Sequence, residues 1–259
     1  MIADSHVHLH LINYNKLRST LSATIRSAIR DRVEYQLCVS TNIYQHKEII
    51  YICDRYQNIY GSVGIHPNEQ YNENEYLNTE RLIRLSNHKK IKAIGETGLD
   101  YLGNNIQRKI QIKRFEHHIE ASLASNLPII IHSRESKRDI LDIIKYYSRY
   151  DLIGVLHCFS DDLLTAKKLL DFGFFISFSG TVTFHKNYLL KEVVKNIPLE
   201  KMMVETDAPY LSPHPYRGRI NEPKYVSRVV EEISNIKQVR YEEVSKKTNE
   251  NFKKLFSID

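Results

Sequence analysis

The chain has no tryptophan, three cysteines, nine glycines and seven prolines among its 259 residues. Cys38, Cys53 and Cys158 are too few and too scattered to staple a domain of this size, and no C-x-x-C pair occurs, so a disulfide framework is not expected. Long apolar runs are missing as well. Stretches such as Ile129-Ile130-Ile131 and Phe174-Phe175-Ile176 fall far short of the roughly 20 residues that cross a bilayer. The opening Met1-Ile2-Ala3-Asp4-Ser5-His6 has neither a basic nor an apolar leader region, so a secretory signal is not expected and a cytoplasmic, reducing setting is.

What is present is ordinary globular composition, 42% apolar and 26% charged, which excludes a mainly disordered or fibrous chain. The formal net charge of +6 points to an acidic partner, a phosphate backbone being the one with the longest reach. Charge alone does not make a nucleic-acid protein, because Lys and Arg such as Arg138, Lys145, Lys167 and Lys168 are spread over segments that read as solvated helix faces.

Eight short apolar or β-branched runs recur along the chain: residues 1–3, 36–39, 61–65, 92–95, 129–131, 152–156, 174–177 and 202–204. Between them lie helical patterns at 107–126, 136–147, 162–171 and 223–236; in the first, Phe115, Ile119 and Leu123 return every fourth residue. Continuous apolar runs are what strands covered on both faces look like. Strict alternation with helices implies right-handed βαβ crossovers, and eight units in 259 residues suit an α/β fold of the (β/α)8 TIM-barrel type, one domain over 1–259. No Gly/Ser-rich or Pro-rich linker interrupts the series, and the doubly wound alternative lacks a GxGxxG after its first strand.

Active sites of such barrels gather at the C-terminal ends of the strands. Those ends read Asp4-Ser-His-Val-His8, His66-Pro67, Glu96-Thr-Gly-Leu-Asp100, His132-Ser-Arg134, His157-Cys158 and Glu205-Thr-Asp207. The steps from His66 to Glu96, His132, His157 and Asp207 are 30, 36, 25 and 50 residues, one or two βα units each, so these side chains return to the same rim. His6 and His8, two apart on a strand, point to the same side. A lone histidine at a strand end is ordinarily a hydrogen-bonded core residue. Six imidazole and carboxylate placements at one mouth are different, because burying them without compensation costs several kcal/mol apiece, roughly, and a bound cation removes that cost. His6, His8, Glu96, His132, His157 and Asp207 outnumber the ligands of one ion. A carboxylate on a middle strand can bridge two ions about 3.5–4 Å apart, an arrangement that hydrolyses phosphoesters or amides. Ser133 and Cys158 lie beside histidines but lack a nucleophile elbow.

The strings Asp4-Ser-His-Val-His8, Gly64-Ile-His-Pro67, Ala93-Ile-Gly-Glu-Thr-Gly-Leu-Asp-Tyr101, Pro128-Ile-Ile-Ile-His-Ser-Arg134, Leu156-His-Cys-Phe-Ser160, Ser179-Gly-Thr-Val-Thr-Phe184, Val204-Glu-Thr-Asp-Ala-Pro-Tyr210 and Arg217-Gly-Arg-Ile-Asn-Glu-Pro223 together resemble the TatD family of metal-dependent deoxyribonucleases. The resemblance runs from residue 2 to Phe256. It implies a barrel of the amidohydrolase superfamily with two divalent cations, Mg, Mn or Zn. His6, His8 and Asp207 would hold the first, His132 and His157 the second, and Glu96 would bridge. Glu96, Asp207 and His66 would be the catalytic set, His66 on the substrate side. Many superfamily members bridge with a carboxylated lysine; here Glu96 takes the position and Lys92 lies too early in its strand.

The implied activity is hydrolysis of DNA phosphodiester bonds with metal-activated water, as a 3′→5′ exodeoxyribonuclease on single strands. The alternative is a small-molecule amidase, lactonase or phosphotriesterase built on the same centre. Arg134, Arg217 and Arg219 are candidates for phosphate contact, Tyr101 and Tyr210 for base stacking. DNA is the expected partner, with no membrane and no obligate protein partner. Two departures from the family pattern stand out: Val7 replaces the usual Cys between the two histidines, and Ile220 removes a usual positive charge. Neither removes an expected ligand. Glu205, next to the Asp207 motif, has no role assigned, since alternation along the strand end can turn it to the mouth or to the wall.

Overall fold

The computed structural model describes residues 1–70, 78–102 and 106–258. Eight strands form one parallel sheet in sequence order: β1 (Ile2–Val7), β2 (Val33–Cys38), β3 (Ile59–Val63), β4 (Ile91–Asp100), β5 (Ile129–Arg134), β6 (Gly154–Leu156), β7 (Phe175–Phe178) and β8 (Met202–Val204). Each apolar run of the sequence falls on one of them. Helices pack between and outside the strands, giving a (β/α)8 barrel. Among the described residues no helix is long and apolar enough to cross a membrane.

The last seam, between β8 and β1, is joined past the strand ends. Asp207 N–H donates to His6 O (2.9 Å) and His8 N–H to Ala208 O (2.8 Å). Asp4 adds a side-chain clasp, its Oδ1 accepting Thr206 N–H (2.8 Å) and its Oδ2 the Thr206 hydroxyl (2.6 Å). Burial pushes the Asp4 carboxyl up to about 8. The segments that carry His6 and His8 on one side and Asp207 on the other are thereby locked in register with each other.

β4 runs further than its apolar run suggests. Residues 95–100 look like a loop, yet the strand continues through Glu96 to Asp100, with a register shift against β5 between Ile94 and Thr97. Glycine explains it. Gly98 sits at φ +132°, and a Cβ there would lie 2.1 Å from His132 O, so only glycine lets β4 keep pairing with β5 as far as Asp100 opposite Arg134.

The expected helices appear as Arg108–Ser125, Lys137–Tyr147, Leu163–Asp171 and Val226–Lys237. The last begins three residues late because Pro223–Tyr225 forms a 3-10 turn before it. In Arg108–Ser125, Phe115 and Ile119 are fully buried, each contributing about 2–3 kcal/mol of apolar burial. The same inner face carries polar side chains that tie down strand ends. Gln111 Oε1 accepts Asp100 N–H (2.8 Å) and its amide donates to Asp100 O (2.9 Å). His118 Nε2 accepts Ile65 N–H (3.0 Å) while its Nδ1–H donates to Arg114 O (2.6 Å). One helix thus fixes the ends of β3 and β4, next to His66 and Glu96.

Candidate metal centre

All six side chains expected to converge do so at the C-terminal mouth. His6 lies in β1 and His8 just beyond it, their Nε2 atoms 3.3 Å apart. Glu96, from inside β4, stands in the middle: Oε2 is 3.4 Å from His6 Nε2 and 2.9 Å from His157 Nε2, and Oε1 is 3.7 Å from His8 Nε2. His132 Nδ1 lies 3.2 Å from His157 Nε2. Asp207 closes the other side, Oδ1 being 3.3 Å from His8 Nε2 and 3.7 Å from His6 Nε2. It adopts φ +56° in the tight turn after β8, a left-handed conformation that aspartate tolerates better than most residues.

The electrostatics are those of a coupled buried cluster. Glu96 resists the upward push of its burial and is held well below the usual carboxylate range by His157 and His6. His157 is raised well above the usual imidazole value, against its burial, by Glu96 and Glu205. His8 is raised too, against its burial, by Asp207 and Glu96. His6 goes the other way, lowered by burial and by the charge of His157.

The residues present fit divalent cations. Two pairs of imidazole nitrogens meet at 3.3 and 3.2 Å, so that in each pair either one ring turns an N–H to the other or two lone pairs converge on a shared point. Glu96 Oε2 is buried amid these rings without an aligned hydrogen bond, and His6 Nδ1, His157 Nδ1 and Glu205 Oε2 are buried without partners. His6, His8 and Glu96 form one cluster of ligand atoms mutually within 4.8 Å; Glu96, His132 and His157 form another, with Glu96 common to both. Imidazole nitrogens with carboxylate oxygens suit Zn or Mn, and Mg is compatible with the carboxylates.

Behind the cluster, other groups orient the rings. His8 Nδ1–H donates to Val39 O (2.8 Å), and His132 Nε2 faces Asp100 Oδ2 at 3.1 Å. In front lies a cavity of about 520 Å³ whose lining includes His66, Glu69, Arg134, Asp207 and Tyr210.

A family model described as TatD related DNase matches residues 3–257. The chain belongs to the TatD family. Similar proteins include an uncharacterized metal-dependent hydrolase of Buchnera aphidicola subsp. Baizongia pistaciae, 40% identical over 99% of this chain and 96% of the relative. The metal-dependent hydrolase YcfH of Escherichia coli K12, also named as uncharacterized, is 38% identical over 100% of this chain and 96% of its own length. Among solved structures, the TatD homolog YjjV of Escherichia coli superposes with a TM-score of 0.89 at 22% identity, covering 100% of this chain and 98% of that one. The chain is a metal-dependent hydrolase of this family.

The expected substrate contacts of this TatD protein divide. His66 lines the cavity, its ring edge-on to His132 with centroids 4.4 Å apart, and burial lowers it to about 4, so it is neutral. Asn68 N–H donates to His66 Nδ1 (3.1 Å), which puts the ring proton on Nε2. Arg134 and Tyr210 also line the cavity. Tyr101, Arg217 and Arg219 are not among its lining residues. The Tyr101 hydroxyl donates to Asp139 (2.5 Å) and its ring is covered by Arg108, which itself pairs with Asp139. Arg217 lies over the Phe184 ring at 4.1 Å, and Arg219 is exposed, with its carbonyl held by Ser212.

Asp100, Glu69 and Val39 were not among the residues expected at the site. Asp100 carried a signal, since residues 96, 98 and 100 share one face of a strand. Val39 acts through its backbone carbonyl and carried none.

Proposed function

We propose that this chain hydrolyses phosphodiester bonds of DNA, trimming single strands from the 3′ end, with two divalent cations sharing Glu96. The observation that supports it most is the position of Glu96 between two imidazole pairs, at the floor of a cavity that Arg134 lines. His6, His8 and Asp207 would hold one cation, His132 and His157 the other. Bound there, divalent cations supply Lewis acidity and lower the pKa of water.

The chain's own residues do the rest. Asp207, facing His6 and His8 and open to the cavity, takes the proton of the attacking water at its carboxylate. Neutral His66 offers Nε2–H to a non-bridging phosphoryl oxygen. Arg134, exposed at the mouth, pairs with a phosphate through its planar guanidinium. Tyr210, 52% exposed with its ring 6.0 Å from that of His8, offers a face for the terminal base.

One observation favours the second reading, a small-molecule amidase, lactonase or phosphotriesterase. Arg217 and Arg219 stand outside the cavity lining, which leaves Arg134 as its arginine among the described residues. A panel of single-stranded DNA, a lactone, an N-acyl amino acid and a phosphotriester, assayed with the same metal-loaded protein, separates the two. kcat/KM at least 100-fold higher for DNA supports the nuclease reading; the reverse order overturns it.

A further inference from the structure

Glu205 is fully buried just past β8, two residues before Asp207, and the proposed chemistry does not use it. Its Oε1 accepts Cys158 N–H at 2.7 Å and lies 3.5 Å from His157 Nδ1. Its Oε2 has no hydrogen-bond partner, and neither His157 Nδ1 nor His6 Nδ1 has one. The imidazoles of His6 and His157 are stacked, centroids 3.9 Å apart and planes 14° from parallel. Both turn Nε2 toward Glu96 Oε2, at 3.4 and 2.9 Å. One nitrogen of each ring and one oxygen of Glu205 lie within 4.8 Å of one another.

This stack therefore has two carboxylates against it, Glu96 at the Nε2 atoms of both rings and Glu205 at His157 Nδ1, with an oxygen within 4.8 Å of a nitrogen of His6. A charge in that place is not required by the fold. Accepting Cys158 N–H is work that a neutral amide does equally well, and an ionised carboxylate without solvent access is costly unless cationic or N–H groups compensate it. A carboxylate that receives Nδ1–H from a histidine fixes the tautomer, turns the Nε2 lone pair outward and makes it a stronger donor to a cation.

We infer that Glu205 is a positioning residue shared by His6 and His157, holding both imidazoles with Nε2 toward Glu96. The inference rests on the two-cation reading above, in which these two histidines belong to different cations. Among the histidines of the two-cation reading, Asp100 faces His132, at 3.1 Å. Glu205 serves one histidine of each half, so its loss weakens both halves together.

The test is calorimetric titration of the metal-stripped, full-length protein with Zn²⁺ or Mn²⁺, alongside thermal melting of the metal-free form. The proteins compared are wild type, Glu205→Gln, Glu205→Asp and Asp100→Asn. Glu205→Gln is expected to weaken both binding events about 10–100-fold while the metal-free protein melts at the same or a higher temperature. Asp100→Asn is expected to weaken one event, and Glu205→Asp to recover part of the affinity. Unchanged affinity in Glu205→Gln, or weaker binding that only follows a lowered metal-free melting temperature, would overturn the inference. A single cation per wild-type chain overturns the two-cation reading instead, and the Glu205→Gln affinity at that one site still decides the role of Glu205.

Discussion

Asp100 Oδ2 lies 3.1 Å from His132 Nε2, while the other nitrogen of that ring faces His157 Nε2 at 3.2 Å. A carboxylate behind a ligating imidazole sets which nitrogen carries the proton and which carries the lone pair. Asp100→Asn keeps an oxygen for Leu102 N–H, so the strand end is expected to survive. Metal affinity or activity should fall about 10–100-fold with little change in far-UV circular dichroism. Full activity in this variant would show that the ring is oriented by packing alone.

Gly98 is the hinge of the β4 extension. A methyl group there meets His132 O at 2.1 Å and forces φ away from +132°. Gly98→Ala is expected to lose about 3 kcal/mol or more of stability, the sum of overpacking and left-handed strain. Denaturant unfolding followed by fluorescence of the 17 tyrosines measures it. A loss below 1 kcal/mol, roughly the scale of an ordinary surface change, contradicts the close approach of β4 and β5.

His118 couples folding to acid. Burial lowers it from 6.5 to about 4, and its neutral ring accepts from Ile65 and donates to Arg114. Between pH 6.5 and about 4 the unfolded chain holds a proton on this ring that the native chain refuses. Its contribution is fully present above 6.5 and drains away as pH falls through that window, roughly 3 kcal/mol in all. His118→Gln should flatten that part of the stability curve. An unchanged slope between pH 6.5 and 4 would place the titration on other groups.

The arginines should separate by position. Arg134→Ala removes a guanidinium from the cavity and is expected to lower kcat/KM on DNA about 10–100-fold, the worth of one charge-assisted contact. Arg217→Ala, whose partner is Phe184, should change it less than about threefold, in line with a substitution outside the site. Equal losses in the two variants would mean that the substrate track extends along the Phe184 side.

What the sequence made legible was whatever repeats with the barrel. His6, His8, Glu96, His132, His157 and Asp207 each follow an apolar run, so the βα period alone brings them to one mouth. Contacts made across the period were hidden. Tyr101 follows Glu96 closely in the chain, but its hydroxyl is taken by Asp139 on Lys137–Tyr147, the helix after β5, a pairing with no local signature. Arg217 is drawn to Phe184 from a different loop for the same reason. Asp4 reads as part of a ligand motif, yet it fastens the barrel seam through Thr206, about two hundred residues away along the chain. β4 outran its apolar run because glycines, which look like loop residues in sequence, here allow two strands to approach.

The central proposal is phosphodiester hydrolysis at a cation pair bridged by Glu96. Its most direct measurement uses metal-stripped protein and 5′-labelled single-stranded DNA, with Mg²⁺, Mn²⁺ or Zn²⁺ restored and products resolved on a sequencing gel. The expected result is a ladder shortening stepwise from the 3′ end that depends on added metal and disappears in Glu96→Gln. Intact DNA under every metal, or a ladder undiminished in Glu96→Gln, would contradict it.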